Sequence, residues 1–293
     1  MNSSTKLWLS GARPRTLPAA IAPVLVGTAS AYLQDDKTAV FGNALLALVV
    51  SLALQVGVNY ANEYADGRRG TDQQRVGPMR LVGSGAKSAV AVKRAALIAF
   101  GVAALFGLAL AVVTSWWLLV LGVACIAAGW MYTGGPKPYG YLGFGELFVF
   151  IFFGVVATTG TTFVIIQTIT KTSVIASVAI GSLACALLVI NNLRDIPGDT
   201  AAGKKTLAVR LGDQRTRQMY IALIIIAAMM ISVISLDHPT ALFGLVGLLA
   251  SVPAIRRVIR GAKGRDLIAV LGMTGRAQLF TAVTLSIGLV LAS

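Results

Sequence analysis

VFGNALLALVVSLALQVGVNYANEYADGRRGTD, residues 40–72, decides how the rest of the chain is read. Residues 40–61 carry no charge, and residues 62–72 then hold Glu63, Asp66 and Asp72 beside Arg68 and Arg69. An apolar run of about 17 to 25 residues is what a helix needs to cross roughly 30 Å of hydrocarbon. The stretch is therefore a membrane span that ends in a charged phrase at the bilayer edge. The question it poses is what three carboxylates hold there.

Outward from this segment the same pattern recurs along the chain. Apolar windows fall at 17–33, 40–61, 92–113, 116–132, 145–168, 173–193, 217–236, 240–255 and 274–292, nine in all, the eighth being the shortest. Hydrophobic residues make up 56% of the 293 and charged residues only 12%, which excludes an ordinary soluble domain. The sequence predicts an all-α polytopic membrane protein with one transmembrane domain over 1–293. MNSSTKLWLSGARPRTLPAA at the N-terminus has no cleavage site after a short apolar core, so the first span is expected to remain in the mature protein.

Lysine and arginine set the orientation, because short loops rich in them stay cytoplasmic. Nine spans divide the loops into two sets, and one set, with the span entrances beside it, holds every Lys and Arg except Lys37 and Lys171. The N-terminus and the loops 62–91, 133–144, 194–216 and 256–273 are thus expected in the cytoplasm. The net charge of +14 reads as this topology signal, with a contribution from anionic lipid headgroups, and not as a nucleic-acid surface. Cys125 and Cys185 both fall inside spans, where cysteine behaves as a small apolar residue. His238 is the single histidine and sits in the outer turn LDHPT, a turn residue and not a centre for catalysis.

The two longest loops are both cytoplasmic and open with related phrases. NNLRDIPGD (191–199) repeats the Asn-x-x-x-Asp spacing of NEYADGRRG (62–70), placing Asn191 against Asn62 and Asp195 against Asp66. The phrases close the second and sixth spans, so the chain reads as two sets of four spans plus a ninth. Residues four apart share a helix face, so Asn62 and Asp66 can address one target if the second helix continues a turn past the hydrocarbon. In the second phrase Pro197 and Gly198 intervene, and Asp199 is expected to come from a turn.

Carboxylates facing each other across a cleft repel unless cations lie between them. Mg²⁺ takes oxygen ligands, uses only one or two protein carboxylates, and completes its shell with substrate phosphate oxygens. Two acidic phrases followed by Arg68, Arg69, Arg75, Arg80 and Lys87 in one loop and Lys204, Lys205 and Arg210 in the other read as a metal-bridged diphosphate site. The plainer reading is a set of interfacial salt bridges, each worth about 0 to 1 kcal/mol. Two related phrases at equivalent places favour the shared site.

Five stretches also fit a known family. SGARPRTLPAAIAP (10–23), GVNYANEYADGRRGTD (57–72), GPMRLVGSG (77–85), YTGGPKPYGYLGFGELFVFIFFG (132–154) and NNLRDIPGDTAAGKKTLAVRLGD (191–213) resemble the UbiA superfamily of intramembrane aromatic prenyltransferases. Within it the match is to the branch that uses 1,4-dihydroxy-2-naphthoate in menaquinone synthesis. The resemblance runs from about residue 10 to 213. It implies nine helices, a cell-membrane location with a cytoplasmic active site, and a polyprenyl diphosphate held through two Mg²⁺ ions. It further implies ionisation of the donor to an allylic cation, attack by the naphthoate ring and loss of CO₂.

Carried onto this sequence, the resemblance assigns Asn62, Glu63, Asp66, Asp72, Asn191, Asp195 and Asp199 to the metal, with Asp66 and Asp195 as catalytic acids. Glu63 departs from the family, which has aspartate there, and its longer reach puts direct ligation in question. Arg75, Arg194, Lys204 and Lys205 are the candidate diphosphate contacts. Arg13, Tyr132, Lys137, Tyr139 and Glu146 are candidates for the aromatic substrate, Lys137 and Tyr139 with a catalytic part. Each has a plainer role: Arg13 as a positive-inside anchor, the tyrosines as interfacial belt residues, and Glu146 as a charge suited to a helix N-terminus. Two other readings stay open at this stage. One is a sister prenyltransferase acting on 4-hydroxybenzoate or a sugar phosphate; the other is a carrier for an anionic solute, which would place its charges nearer the bilayer midplane.

Overall fold

The computed structural model describes residues 3–34, 40–70, 77 and 79–293; Lys37, Asp72 and Arg75 lie outside the described residues. Those described form helices joined by short turns. In chain order they are α1 (Ser3–Gly11), α2 (Pro18–Tyr32), α3 (Val40–Arg69), α4 (Ala89–Val113), α5 (Trp117–Met131), α6 (Gly145–Ile166), α7 (Lys171–Ala201), α8 (Leu207–Asp237), α9 (Pro239–Ile259) and α10 (Asp266–Val290). Seven of these, α3, α4 and α6 to α10, are long and apolar enough to cross a membrane, and α2 and α5 are shorter apolar helices. Each of the nine apolar windows corresponds to one of them. The chain is a multi-pass membrane protein.

Two helices position the site by their length. α3 has 30 residues and α7 has 31, so at 1.5 Å per residue each is about 45 Å long, some 15 Å more than the hydrocarbon. The surplus turns lift both Asn-x-x-x-Asp phrases out of the apolar layer while keeping them on rigid helix. For α3 this is the continuation expected from the sequence. For α7 it is a correction: the helix runs through Pro197 to Ala201, so Asp199 is a helical residue and not a turn residue. An interior proline forfeits one i to i−4 bond, and the turns on either side of it remain helical.

α7 is the central helix, buried on nearly every side from Ser173 to Asp195, with α2, α6, α8 and α10 around it. Small residues allow the close approaches. At Gly154 of α6 an added Cβ would lie 2.5 Å from the Cα of Gly181 in α7. Around Gly154 the helix widens into a π turn over Phe150–Val156, a local irregularity often met beside functional sites. α8 begins earlier than its apolar window: its first residues, Leu207–Leu211, are set off from the rest by a kink at Gly212, at φ 75° and ψ 174°. α1 is a helix the apolar windows did not reveal, and it lies against the C-terminal half of α3 through Trp8 and Tyr60, whose rings meet edge to face at 5.7 Å.

Candidate active site

One cavity of about 550 Å³ runs between α2, α3, α4, α5, α6 and α7. Along α3 its lining extends from Ala47 to Asp66, nineteen residue steps or roughly 28 Å of helix. It thus runs along most of the apolar length of α3. Its walls in the membrane are apolar, with Val24, Leu110, Leu118 and Val164 at the far end and Phe148, Phe152 and Phe153 along α6. Its polar head gathers Asn62, Asp66, Asn191, Asp195, Asp199 and Lys204. The two phrases, 129 residues apart in sequence, share this head.

The head is an ordered polar network. Lys204 Nζ lies 3.2 Å from Asp66 Oδ1 and 3.6 Å from Asp199 Oδ1, so one ammonium bridges acids of the two phrases. The Tyr141 hydroxyl donates to Asp66, and its ring lies 4.5 Å under Lys204 Nζ. Arg194 grips Asp195 with two parallel bonds, Nε to Oδ1 and Nη2 to Oδ2, each 2.8 Å, and also donates to Asn191 Oδ1 at 2.9 Å. The Thr133 hydroxyl donates to Asn62 Oδ1 at 2.7 Å. Arg69, at the end of α3, donates to the carbonyls of Thr133 and Gly135 and ties the 133–138 loop down.

Lys204 shows how the charges balance. Burial pulls its pKa down, yet Asp66, Tyr141 and Asp199 together outweigh that pull and leave it raised above the ordinary lysine value. The ammonium is therefore charged at neutral pH. The phenols of Tyr139 and Tyr141 are both pushed above the usual tyrosine value, in each case mainly by burial, and are neutral donors.

The aromatic candidates lie just beneath. Tyr139 stacks on Phe148 with centroids 3.9 Å apart, meets Tyr132 edge to face at 5.5 Å, and donates to the Ala128 carbonyl at 2.8 Å. The short 3₁₀ turn Tyr139–Leu142 that presents Tyr139 and Tyr141 ends at Gly143, whose φ of 85° is a left-handed conformation suited to glycine. Lys205 holds the same turn through its backbone, its N–H donating to the Tyr141 carbonyl at 2.9 Å. Glu146 is buried one layer behind, accepting from Asn192 Nδ2 at 2.9 Å.

Not every sequence candidate arrives at the cavity. Lys137 and the side chain of Lys205 are exposed and do not line it, and Glu146 reaches it only through Asn192. Asp72 and Arg75 lie outside the described residues. Glu63, the departure from the family pattern, points sideways: Arg80 Nη1 and Arg13 Nη2 both donate to its Oε1, the latter at 3.0 Å, and the Leu81 N–H donates to Oε2 at 2.8 Å. Residues the sequence did not single out are Tyr141, Thr133, Gln55 and Asn59, while Arg69 and Arg80 were read only as part of the basic surplus of their loop. Gln55 and Asn59 had one available signal, a four-, three- and four-residue spacing up to Asn62 and Asp66 that continues one polar face down an otherwise apolar helix.

The donors at the head are all carboxylate or amide oxygens, the set that suits a hard divalent cation such as Mg²⁺. Among the described residues no three acids, histidines or cysteines close together form a cage of their own. An apolar tunnel joined to an oxygen-rich, cation-bearing head defines a membrane protein built for an amphiphile with a long apolar tail and an anionic head.

Comparison with known proteins agrees. The UbiA prenyltransferase family matches residues 20–281, and the chain belongs to that family. It is 51% identical to the 1,4-dihydroxy-2-naphthoate octaprenyltransferase of Mycobacterium tuberculosis, over 95% of each chain, and 47% identical to the enzyme of the same name from Mycobacterium leprae, over 97% of this chain and 96% of that one. In fold it matches a UbiA homologue from Archaeoglobus fulgidus bound to GPP and Mg²⁺, with a TM-score of 0.61 at 14% identity over 95% of this chain and 99% of that one.

Proposed function

We propose that this protein transfers a polyprenyl group from a polyprenyl diphosphate to 1,4-dihydroxy-2-naphthoate, releasing diphosphate and CO₂ and giving a demethylmenaquinol. The observation that carries the reading is the single cavity that joins the two-phrase polar head to a bilayer-long apolar tunnel. The tunnel suits the prenyl tail and the head suits the diphosphate. The reading includes nine spans, α2 to α10, in a UbiA-type bundle, with the N-terminus and the head on the cytoplasmic side of the cell membrane.

Asn62, Asp66, Asn191, Asp195 and Asp199 are the residues that would hold Mg²⁺, which when bound supplies electrostatic stabilisation of the departing diphosphate. Lys204 and Arg194, both buried beside those acids, would turn to the diphosphate oxygens as the acids are drawn to the ions. Tyr139, Tyr132 and Phe148 form the aromatic wall against which the naphthoate ring would lie at the mouth of the tunnel, where water is scarce and an allylic cation survives long enough to be attacked. The C–O bond to diphosphate breaks, the ring carbon bonds to the allylic carbon, and the bond to the carboxylate breaks with its electron pair returning to the ring. No outside oxidant or reductant is needed. The exposed Lys137 and Lys205 have no role in this scheme.

The test is turnover by purified protein in detergent, with geranylgeranyl diphosphate and 1,4-dihydroxy-2-naphthoate, in Mg²⁺ and again in EDTA. Prenylated naphthoquinone that disappears with EDTA supports the reading. Product only with another acceptor, such as 4-hydroxybenzoate, would refute it.

A further inference from the structure

A second groove opens on the outside of the bundle, at the end that carries the polar head. It lies between the last turns of α3 and the first turns of α4, and its lining includes Tyr64, Arg68, Val90, Lys93, Arg94 and Leu97. Arg68, Lys93 and Arg94 are all exposed. The half-buried Tyr64 ring, 6.1 Å from that of Trp130, gathers two of them. Arg68 Cζ and Lys93 Nζ each lie 5.8 Å from its centroid, and Arg68 Nη1 donates to its hydroxyl at 3.0 Å.

Among the described residues no carboxylate pairs with Arg68, Lys93 or Arg94. The acids on the same turns of α3 are engaged elsewhere, Glu63 by Arg13, Arg80 and the Leu81 N–H, and Asp66 by Lys204 and Tyr141. Nor do Lys93 and Arg94 serve α4 itself. In its second turn they lie toward the positive end of the helix dipole, which disfavours cations, and no acid in the first turn offsets them. Three like charges in one groove are matched only by an anion from outside.

The same groove leads into an apolar track. Leu97, Gly101 and Leu105 stand four apart on one face of α4, all exposed, and at Gly101 there is open space where a Cβ would stand, a notch in the ridge. A free anion has no use for such a track, whereas a lipid has both a phosphate and an acyl chain. We infer that this groove is a binding site for an anionic phospholipid, its phosphate held by Arg68, Lys93 and Arg94 and an acyl chain lying along Leu97, Gly101 and Leu105. Guanidinium and ammonium groups at a membrane edge are suited to lipid phosphates. The inference rests on the chain being a membrane protein and not on the reaction proposed for it. Tyr64 and Arg68 each lie two positions from Asp66, roughly 200° around the helix. The bound lipid thus braces the outer face of the turn whose inner face presents Asp66 to the cavity.

The test is titration of the purified full-length chain with labelled phosphatidylglycerol, in neutral detergent micelles that contain excess phosphatidylcholine. Wild type is compared with the triple variant Arg68→Gln/Lys93→Gln/Arg94→Gln and with a control, Arg256→Gln/Arg257→Gln/Arg260→Gln, which removes the same charge from exposed positions outside the groove. Wild type and the control should bind the lipid alike, and the groove variant about 100-fold more weakly, at roughly fivefold for each basic residue beside an anionic headgroup. Equal weakening in both triples would reduce the effect to net charge and overturn the site, as would phosphatidylcholine binding as tightly as phosphatidylglycerol. Glycerophosphoglycerol, the same headgroup without acyl chains, should fail to displace the lipid. Displacement at equal concentration would make the groove a plain anion site and overturn the proposal. Should the triple variant not fold, Arg94→Gln alone is expected to weaken binding about fivefold, and an unchanged affinity there also overturns it.

Discussion

Replacing Lys204 by methionine keeps the length of the side chain and removes the charge shared by the two acidic phrases. The ammonium is 3.2 Å from Asp66 and 3.6 Å from Asp199, and the three side chains are 10%, 7% and 14% exposed. At an effective dielectric of about 20 each such pair attracts by roughly 5 kcal/mol, and deleting one member of a buried pair costs about 3 to 5 kcal/mol in stability. Lys204→Met should therefore melt well below wild type in EDTA. A divalent ion that neutralises the same acids would replace the lost cation, adding about 2.7 kcal/mol at a hundred times its dissociation constant. The assay is thermal unfolding of purified protein in detergent, with EDTA and with Mg²⁺ at that excess. Mg²⁺ should raise the melting temperature of the variant by much more than that of wild type, in which the ammonium competes for the acids. Because the Lys204 pKa is raised, its contribution is complete below the ordinary lysine value of 10.5 and is lost only as pH rises through the higher folded value. The gap between variant and wild type in EDTA should thus be flat across neutral pH and close only in strong alkali. Equal melting of the two proteins in EDTA, or equal gains with Mg²⁺, would refute the bridging role.

Other outcomes follow from the same geometry. Asp66→Ala and Asp195→Asn should each abolish transfer while the protein stays folded; near-normal turnover in either would remove the two-phrase site. Gly154→Val places a Cβ 2.5 Å from the Gly181 backbone, and overpacking of this kind costs about 1 to 3 kcal/mol or more; an unchanged melting temperature would show that α6 and α7 are not so closely packed. Gly122 of α5 lines the cavity with open space where a Cβ would stand. Gly122→Leu should accordingly fold normally and penalise long prenyl donors more than short ones, read as the ratio of kcat/KM for geranylgeranyl over geranyl diphosphate. A ratio equal to that of wild type would place the tail elsewhere.

What could be read from the sequence and what could not divide along one physical line. Span positions and the paired phrases are one-dimensional properties: an apolar window registers the bilayer thickness, and an Asn-x-x-x-Asp spacing registers a helix face. Both survive in the structure, which brings residues 129 apart to one cavity head. What failed depended on how one element bears on another. Pro197 argues locally for a break, and its local cost is real, but the helix turns on either side of it hold and Asp199 stays in line with Asp195. Lys137 sits in the loop nearest the aromatic wall, yet a Gly/Pro-rich loop does not fix direction, and the residue that reaches Asp66 is Tyr141, aimed by a 3₁₀ turn that Lys205 pins from another loop. Glu63 shows the same limit most clearly. Its charge and position fit the metal pattern in every respect the sequence can express. Its carboxylate is instead engaged by Arg13 and Arg80, which arrive from 50 residues upstream and 17 downstream. Which neighbours a carboxylate meets is set by how α3 packs against the segments that carry Arg13, Arg80 and Leu81, and no spacing within one phrase expresses that.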